Sequence, residues 1–185
     1  MRRRVHARRA SCYMGPIMSV IAGLLLTLAT VIFMEGFAYA MHRWVMHGFL
    51  WSLHRSHHEP REGIWEANDW FGVIFAVPSI LGILAGTQLG MWPGLAWIGV
   101  GIFIYGMIYF IFHDWLVHER IPSRFVPKSR YMKRIVQAHK LHHVVNSKHG
   151  TVSFGFLWAP PIKTLKAQLS ANQGTLRQPR QTKAA

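Results

Sequence analysis

The chain predicts an all-α fold, an integral membrane helical bundle, and three observations predict it. Apolar stretches of about twenty residues recur near 17–35, 70–89 and 93–112, each long enough at 1.5 Å per residue to cross a hydrocarbon core of ~30 Å. Half of the 185 residues are hydrophobic and only 15% are charged, unlike a soluble domain. Ten of the twelve histidines fall in two matching sets placed between and after these stretches.

Residues 1–14 form a basic leader, expected to be disordered. The apolar run behind it continues past any cleavage site, so it reads as a membrane anchor rather than a signal peptide. The membrane domain is expected over 15–163. Its first span runs from Ile17 and meets Glu35, the one acid near an apolar run. An acid at such depth is a functional candidate, and at the membrane surface it is ordinary. Residues 51–69 are polar, with Pro60 and Gly63, and read as a loop holding a short helix around His54–His58. The stretches 70–89 and 93–112, joined by Gly90-Met-Trp-Pro93, read as a helical hairpin that returns the chain to the side it left. A further helix is expected from Lys128 to Asn146. Residues 164–185 are polar and are expected to form a disordered tail.

The net charge is +14, and thirteen of the twenty-one Lys and Arg residues follow His113. Basic residues bordering apolar spans argue for a membrane surface and against nucleic acid, and they place the C-terminal part in the cytoplasm. The five arginines of the leader conflict with three spans ending inside. Either the leader is foreign to the natural protein or residues 17–50 fold as two shorter helices. The single cysteine, Cys12, rules out an intramolecular disulfide and a cysteine-based zinc site.

The first histidine set is His42 and His47, then His54, His57 and His58. The second is His113 and His118, then His139, His142 and His143. Each reads HxxxxH followed by HxxHH. On an α-helix, positions i, i+3 and i+4 share one face, so each HxxHH presents three imidazoles together. Five residues advance an α-helix by roughly 500° and leave the HxxxxH pair about 140° apart. Such a pair suits a helix end, a kink, or ligands on either side of a metal pair. Ten imidazoles exceed the needs of one zinc site, and two metals fit better. Imidazole suits iron, zinc, copper or nickel alike. Metal-bound imidazole commonly donates its second N–H to an oxygen, which makes Glu66, Asn68, Asp69 and Asp114 the candidates behind the ligands. The alternative is that these residues are solvated or pair with Arg55, Arg61 and Arg120. His6 and His149 lie outside both sets and read as surface residues.

These patterns resemble the membrane fatty acid hydroxylase and sterol desaturase superfamily. The match tightens at EGFAYAMHRWVMHG (35–48), LHRSHHEP (53–60), WEANDWFGVIFAVPSIL (65–81), YGMIYFIFHDWLVHER (105–120) and RIVQAHKLHHVVNSKHGTVSFGFLWAPP (134–161). Over residues ~30 to 163 it is similar to the bacterial β-carotene 3-hydroxylase family. The resemblance implies a non-haem di-iron monooxygenase of the bacterial inner membrane, its site on the cytoplasmic face. Two iron ions would be held by His42, His47, His54, His57, His58, His113, His118, His139, His142 and His143, with zinc able to replace iron in purified protein. O2 would be the co-substrate, reduced ferredoxin the electron donor, and a carotenoid from the bilayer the substrate. C3 of each β-ionone ring would be hydroxylated, giving β-cryptoxanthin and then zeaxanthin. The rivals are a carotenoid ketolase, a fatty acid or sterol hydroxylase, and a non-catalytic membrane metal-binding protein. Transport would place ionisable residues inside the spans, which are almost free of them.

Overall fold

The computed structural model describes residues 14–60, 63, 65–122 and 124–172, with side chains from residue 20 onward. The described residues form helices and connecting segments, without a β-strand. Among the described residues six α-helices are present: α1 (Met14–Ala40), α2 (Trp51–His58), α3 (Trp70–Thr87), α4 (Gly94–Tyr109), α5 (Arg130–His142) and α6 (Ile162–Ala171). Two π-helical segments extend α1 and α4, at Met41–Phe49 and Phe110–Val117, and a 3-10 turn, Ala67–Asp69, leads into α3.

Among the described residues three helical stretches are long and apolar enough to cross a membrane: Val20–Phe49, Ala67–Thr87 and Gly94–Val117. Most of their side chains point outward, as with Leu25, Ile32, Phe33, Leu81 and Phe103, because lipid, unlike water, rewards no apolar burial. Tight packing is confined to narrow seams of small residues, as expected where van der Waals contact drives helix association. A Cβ on Gly99 would lie 2.6 Å from the Ser79 carbonyl, and one on Gly86 2.5 Å from the Ala96 nitrogen. Glycine is therefore required where α3 meets α4. Ser79 closes that seam by donating to the Gly99 carbonyl at 2.8 Å. Thr27 of α1 donates likewise to the Trp97 carbonyl of α4 at 3.0 Å. Helix α4 thus packs against both other spans.

The first span is one helix running into its π segment, so the alternative of two shorter helices does not hold. The leader up to residue 13 lies outside the described residues. Beyond the spans, Ser129 caps α5 by accepting the Met132 N–H at 3.1 Å. The apolar face of α5 buries Ile135 and Ala138 against Val152, Ala159 and Leu165. Leu165 belongs to α6, so the ordered fold extends past residue 163, where the polar tail was expected to begin. The tail after residue 172 lies outside the described residues.

Candidate metal centre

His42 and His47 lie in the first π-helical segment, and His113 lies in the second with His118 capping its end, which resolves their spacing. A π helix bonds residue i to i+5, and the His118 N–H donates to the His113 carbonyl at 2.9 Å. Residues five apart then stack on one face. The ring centroids of His113 and His118 are 4.5 Å apart, and those of His42 and His47 5.3 Å. The divergence of ~140° expected from α-helical geometry is thereby removed.

Helices α2 and α5 bring the HxxHH histidines up against these pairs. The imidazoles form one group of His42, His47, His54 and His142, and another of His57, His113, His118, His139 and His143. His58, His142 and His143 form a triad joining the two. Each group therefore takes one histidine, the middle one of an HxxHH, from the other half of the chain. All ten are buried except His118, which is half-buried, and His149 is exposed outside the groups.

The ring orientations fit metal binding through Nε2. Nδ1 donates to a backbone carbonyl in four cases: His42 to Phe154 at 2.9 Å, His47 to Lys148 at 3.0 Å, His58 to Val145 at 2.8 Å and His142 to Val152 at 2.9 Å. It donates to a side-chain oxygen in three more: His54 to Asn68 at 2.7 Å, His113 to Asp114 at 2.7 Å and His57 to Glu66 at 3.4 Å. A neutral ring that donates through Nδ1 carries a lone pair on Nε2. Yet Nε2 atoms of such rings face each other at 3.2 Å for His42 and His54, 3.1 Å for His47 and His142, and 2.9 Å for His57 and His113. Opposed lone pairs repel unless a shared cation lies between them. At a metal–nitrogen distance of about 2.1 Å, neighbouring ligands stand ~3.0 to ~3.4 Å apart in octahedral and tetrahedral shells. The observed spacings match ligand edges. Burial, reinforced by neighbouring imidazoles, pushes His54, His57, His139, His142 and His143 well below the usual histidine range, so these rings keep the neutral form that binds metal.

Of the four residues expected behind the ligands, Asn68, Asp114 and Glu66 contact imidazoles. Asp69 hydrogen-bonds no imidazole among the described residues. Its Oδ2 accepts the Glu66 N–H at 2.9 Å, and its Oδ1 accepts from Arg120 at 2.6 Å. Arg120 also reaches Glu66 at 3.3 Å and Asp114 at 3.9 Å. Arg55 instead pairs with Glu59 at the surface, and Arg61 lies outside the described residues. The two groups therefore differ electrically. Neutral carbonyls and an amide hold the first, whereas two carboxylates tied to Arg120 back the second.

An apolar cavity of about 410 Å³ lies against this cluster, between α1, α3 and α4. Met34, Phe75, Ser79 and Phe103 line its walls, and Tyr109, Asp114 and Phe156 close the end toward the histidines. Tyr109 stacks on His113 with centroids 4.4 Å apart, and Phe156 stacks on His42 at 5.4 Å. The sequence reading did not single out Tyr109, although its place one helical turn before His113 was a usable signal. It also missed the carbonyl acceptors of Val145, Lys148, Val152 and Phe154, which carry no side-chain signature.

Comparison with known proteins places this arrangement. The family model for fatty acid hydroxylases matches residues 27–160, a stretch that contains all ten histidines. The chain belongs to the fatty acid hydroxylase family. It is 51% identical over 150 residues to the β-carotene hydroxylase of Pantoea ananas, covering 81% of this chain and 85% of that protein. It is 48% identical over 154 residues to the β-carotene hydroxylase of Paracoccus sp. (strain PC1), covering 83% and 93%. A chloroplastic β-carotene 3-hydroxylase of Gentiana lutea is 37% identical over 147 residues, 78% of this chain and 45% of that longer protein. No solved structure matches.

Proposed function

We propose that this family member is a membrane di-iron monooxygenase that hydroxylates C3 of the β-ionone rings of β-carotene, giving β-cryptoxanthin and then zeaxanthin. The observation that carries the reading is the apolar cavity whose inner end is formed by residues packed on the imidazoles. It is too small for a whole carotene and suits one ring. C3 lies across the ring from the polyene attachment, so a ring entering head first presents C3 to the metal centre while the chain trails into the bilayer. The names of the bacterial relatives support the same substrate.

The ten histidines would hold the two ions, and Glu66, Asn68 and Asp114 would fix the orientation of three of them, with Asp69 acting through Glu66 and Arg120. Bound iron supplies the O2 chemistry that an unactivated C–H bond requires. The balance is one O2, two electrons and two protons per hydroxyl, with one water released. Tyr109, Phe156 and the apolar walls keep bulk water from the reacting carbon. Zinc fits the same all-nitrogen ligands and would be an inactive substitute in purified protein.

Electrons would come from reduced ferredoxin. Lys128, Arg130, Lys133, Lys140, Lys163 and Lys166 are exposed, and no acid follows Glu119. That face would lie on the cytoplasmic side of the bacterial inner membrane and attract an acidic donor. The test is pigment chromatography of β-carotene-producing cells expressing the chain or its His142→Ala variant. Zeaxanthin and β-cryptoxanthin are expected with the intact chain alone. A keto product defeats the assignment of C3 hydroxylation, and unchanged β-carotene with well-expressed protein defeats the substrate assignment.

A further inference from the structure

Glu35 sits in a membrane-spanning helix and ligates no metal group, yet four donors converge on it. Its Oε1 accepts the N–H groups of Phe156, Leu157 and Trp158 at 3.0, 3.0 and 3.2 Å. Its Oε2 accepts the Tyr105 hydroxyl at 2.8 Å. Three successive amides around one oxygen form an anion-binding nest, here filled by a side chain from 121 residues earlier. The nest belongs to segment 151–161, which has no helical or sheet bonding of its own. From this segment the Val152 and Phe154 carbonyls accept from His142 and His42. Both histidines belong to the group of His42, His47, His54 and His142. The carboxylates behind the other group, Glu66 and Asp114, come from different elements.

We propose that Glu35 is a positioning residue for one metal of the pair: it anchors segment 152–158 and thereby aims His42 and His142. The proposal rests on the di-metal reading above. Without the anchor, the two carbonyls drift, and His42 and His142 of the first group lose their preset tautomers. The second group keeps its carboxylates.

The experiment loads purified protein with ferrous iron anaerobically, counts ions per chain and follows their release to a chelator. Intact protein is expected to hold two ions. Glu35→Ala is expected to release one ion about 10- to 100-fold faster, the range seen when partners behind a ligand are lost, and the other at the unaltered rate. Glu35→Gln retains an acceptor oxygen for the three amides and should hold both ions. Tyr105→Phe leaves the amide contacts in place and should also hold both. Gly155→Val provides an independent route, because a Cβ there would lie 2.6 Å from the Trp158 carbonyl and 3.0 Å from Glu35 Oε1. It should reproduce the selective loss, and it decides the matter if Glu35→Ala fails to reach the membrane. Equal release of both ions, fast or slow, in the deciding variant overturns the proposal. Fewer than two ions in the intact protein would instead defeat the di-metal reading, and the proposal with it.

Discussion

Gly106 offers a direct test of the ring cavity. It lines the cavity on α4 and is exposed, and a Cβ built there meets nothing within 4 Å. Unlike Gly86 and Gly99, it is therefore not demanded by helix packing, although glycine costs a helix about 0.8–1 kcal/mol relative to alanine. Gly106→Leu would recover most of that cost and project four carbons into a space of about 410 Å³. Forcing a ring past an overfilled wall costs ~1–3 kcal/mol, which corresponds to a roughly 5- to 150-fold fall in kcat/KM. The assay is conversion of β-carotene in isolated membranes, alongside bound iron per chain and a thermal melt in detergent. Activity should fall while iron content and melting temperature hold or rise. The matched control, Gly99→Leu, should lower all three, because its Cβ meets the Ser79 carbonyl at 2.6 Å. Unchanged kcat/KM and products in Gly106→Leu would show that the ring binds elsewhere.

Other perturbations separate the two metal groups and the fold around them. Asn68→Ala removes the acceptor for His54 Nδ1 and should weaken iron binding 10- to 100-fold in the first group alone; Asp114→Ala should do so in the second, and equal loosening of both ions in either variant would contradict the grouping. Acidification should destabilise the protein. The folded-state values of His54, His57, His139, His142 and His143 are lowered, so the stability they confer is complete above the unfolded value of about 6.5 and drains away as pH falls below it. Melts of the metal-free protein between pH 8 and about pH 5 would check this, and a flat profile would contradict it. Leu165→Ala should cost about 2–5 kcal/mol by opening the core beneath α5, read as a lower melting temperature. A loss below 1 kcal/mol would mean that α6 contributes little.

The histidines were legible because their repeat survives in one dimension. Two HxxxxH…HxxHH sets are conspicuous without any structure, as are three apolar stretches of spanning length. What the repeat concealed was its own exchange. The spacing left open which histidines share a metal, and in the fold His57 joins His113 and His142 joins His47. That crossing depends on how α2 and α5 meet, which no local pattern encodes. The π-helical turns were hidden for a similar reason, since hydrogen-bond slippage by one residue leaves composition unchanged. Asp69 shows the limit of proximity in sequence: it lies beside Asn68 but points to Arg120. Glu35 drew notice as a misplaced acid, but its amide partners lie more than 120 residues away. Helix α6 escaped because one buried leucine among polar residues looks like a tail until its neighbours are known.

The exchange of the middle histidines has a topological consequence. Cutting the exposed turn at Gly90 would divide the chain into two pieces, one ending in α3 and the other beginning with α4. Neither piece contains a complete group. The first would keep His42, His47 and His54 but lack His142, and the second would keep His113, His118, His139 and His143 but lack His57. Two bound ions would act as paired rivets across the cut. A split protein should therefore copurify as a complementing pair when metal is supplied, and a chelator should loosen it to whatever hold the α3–α4 and α1–α4 seams retain.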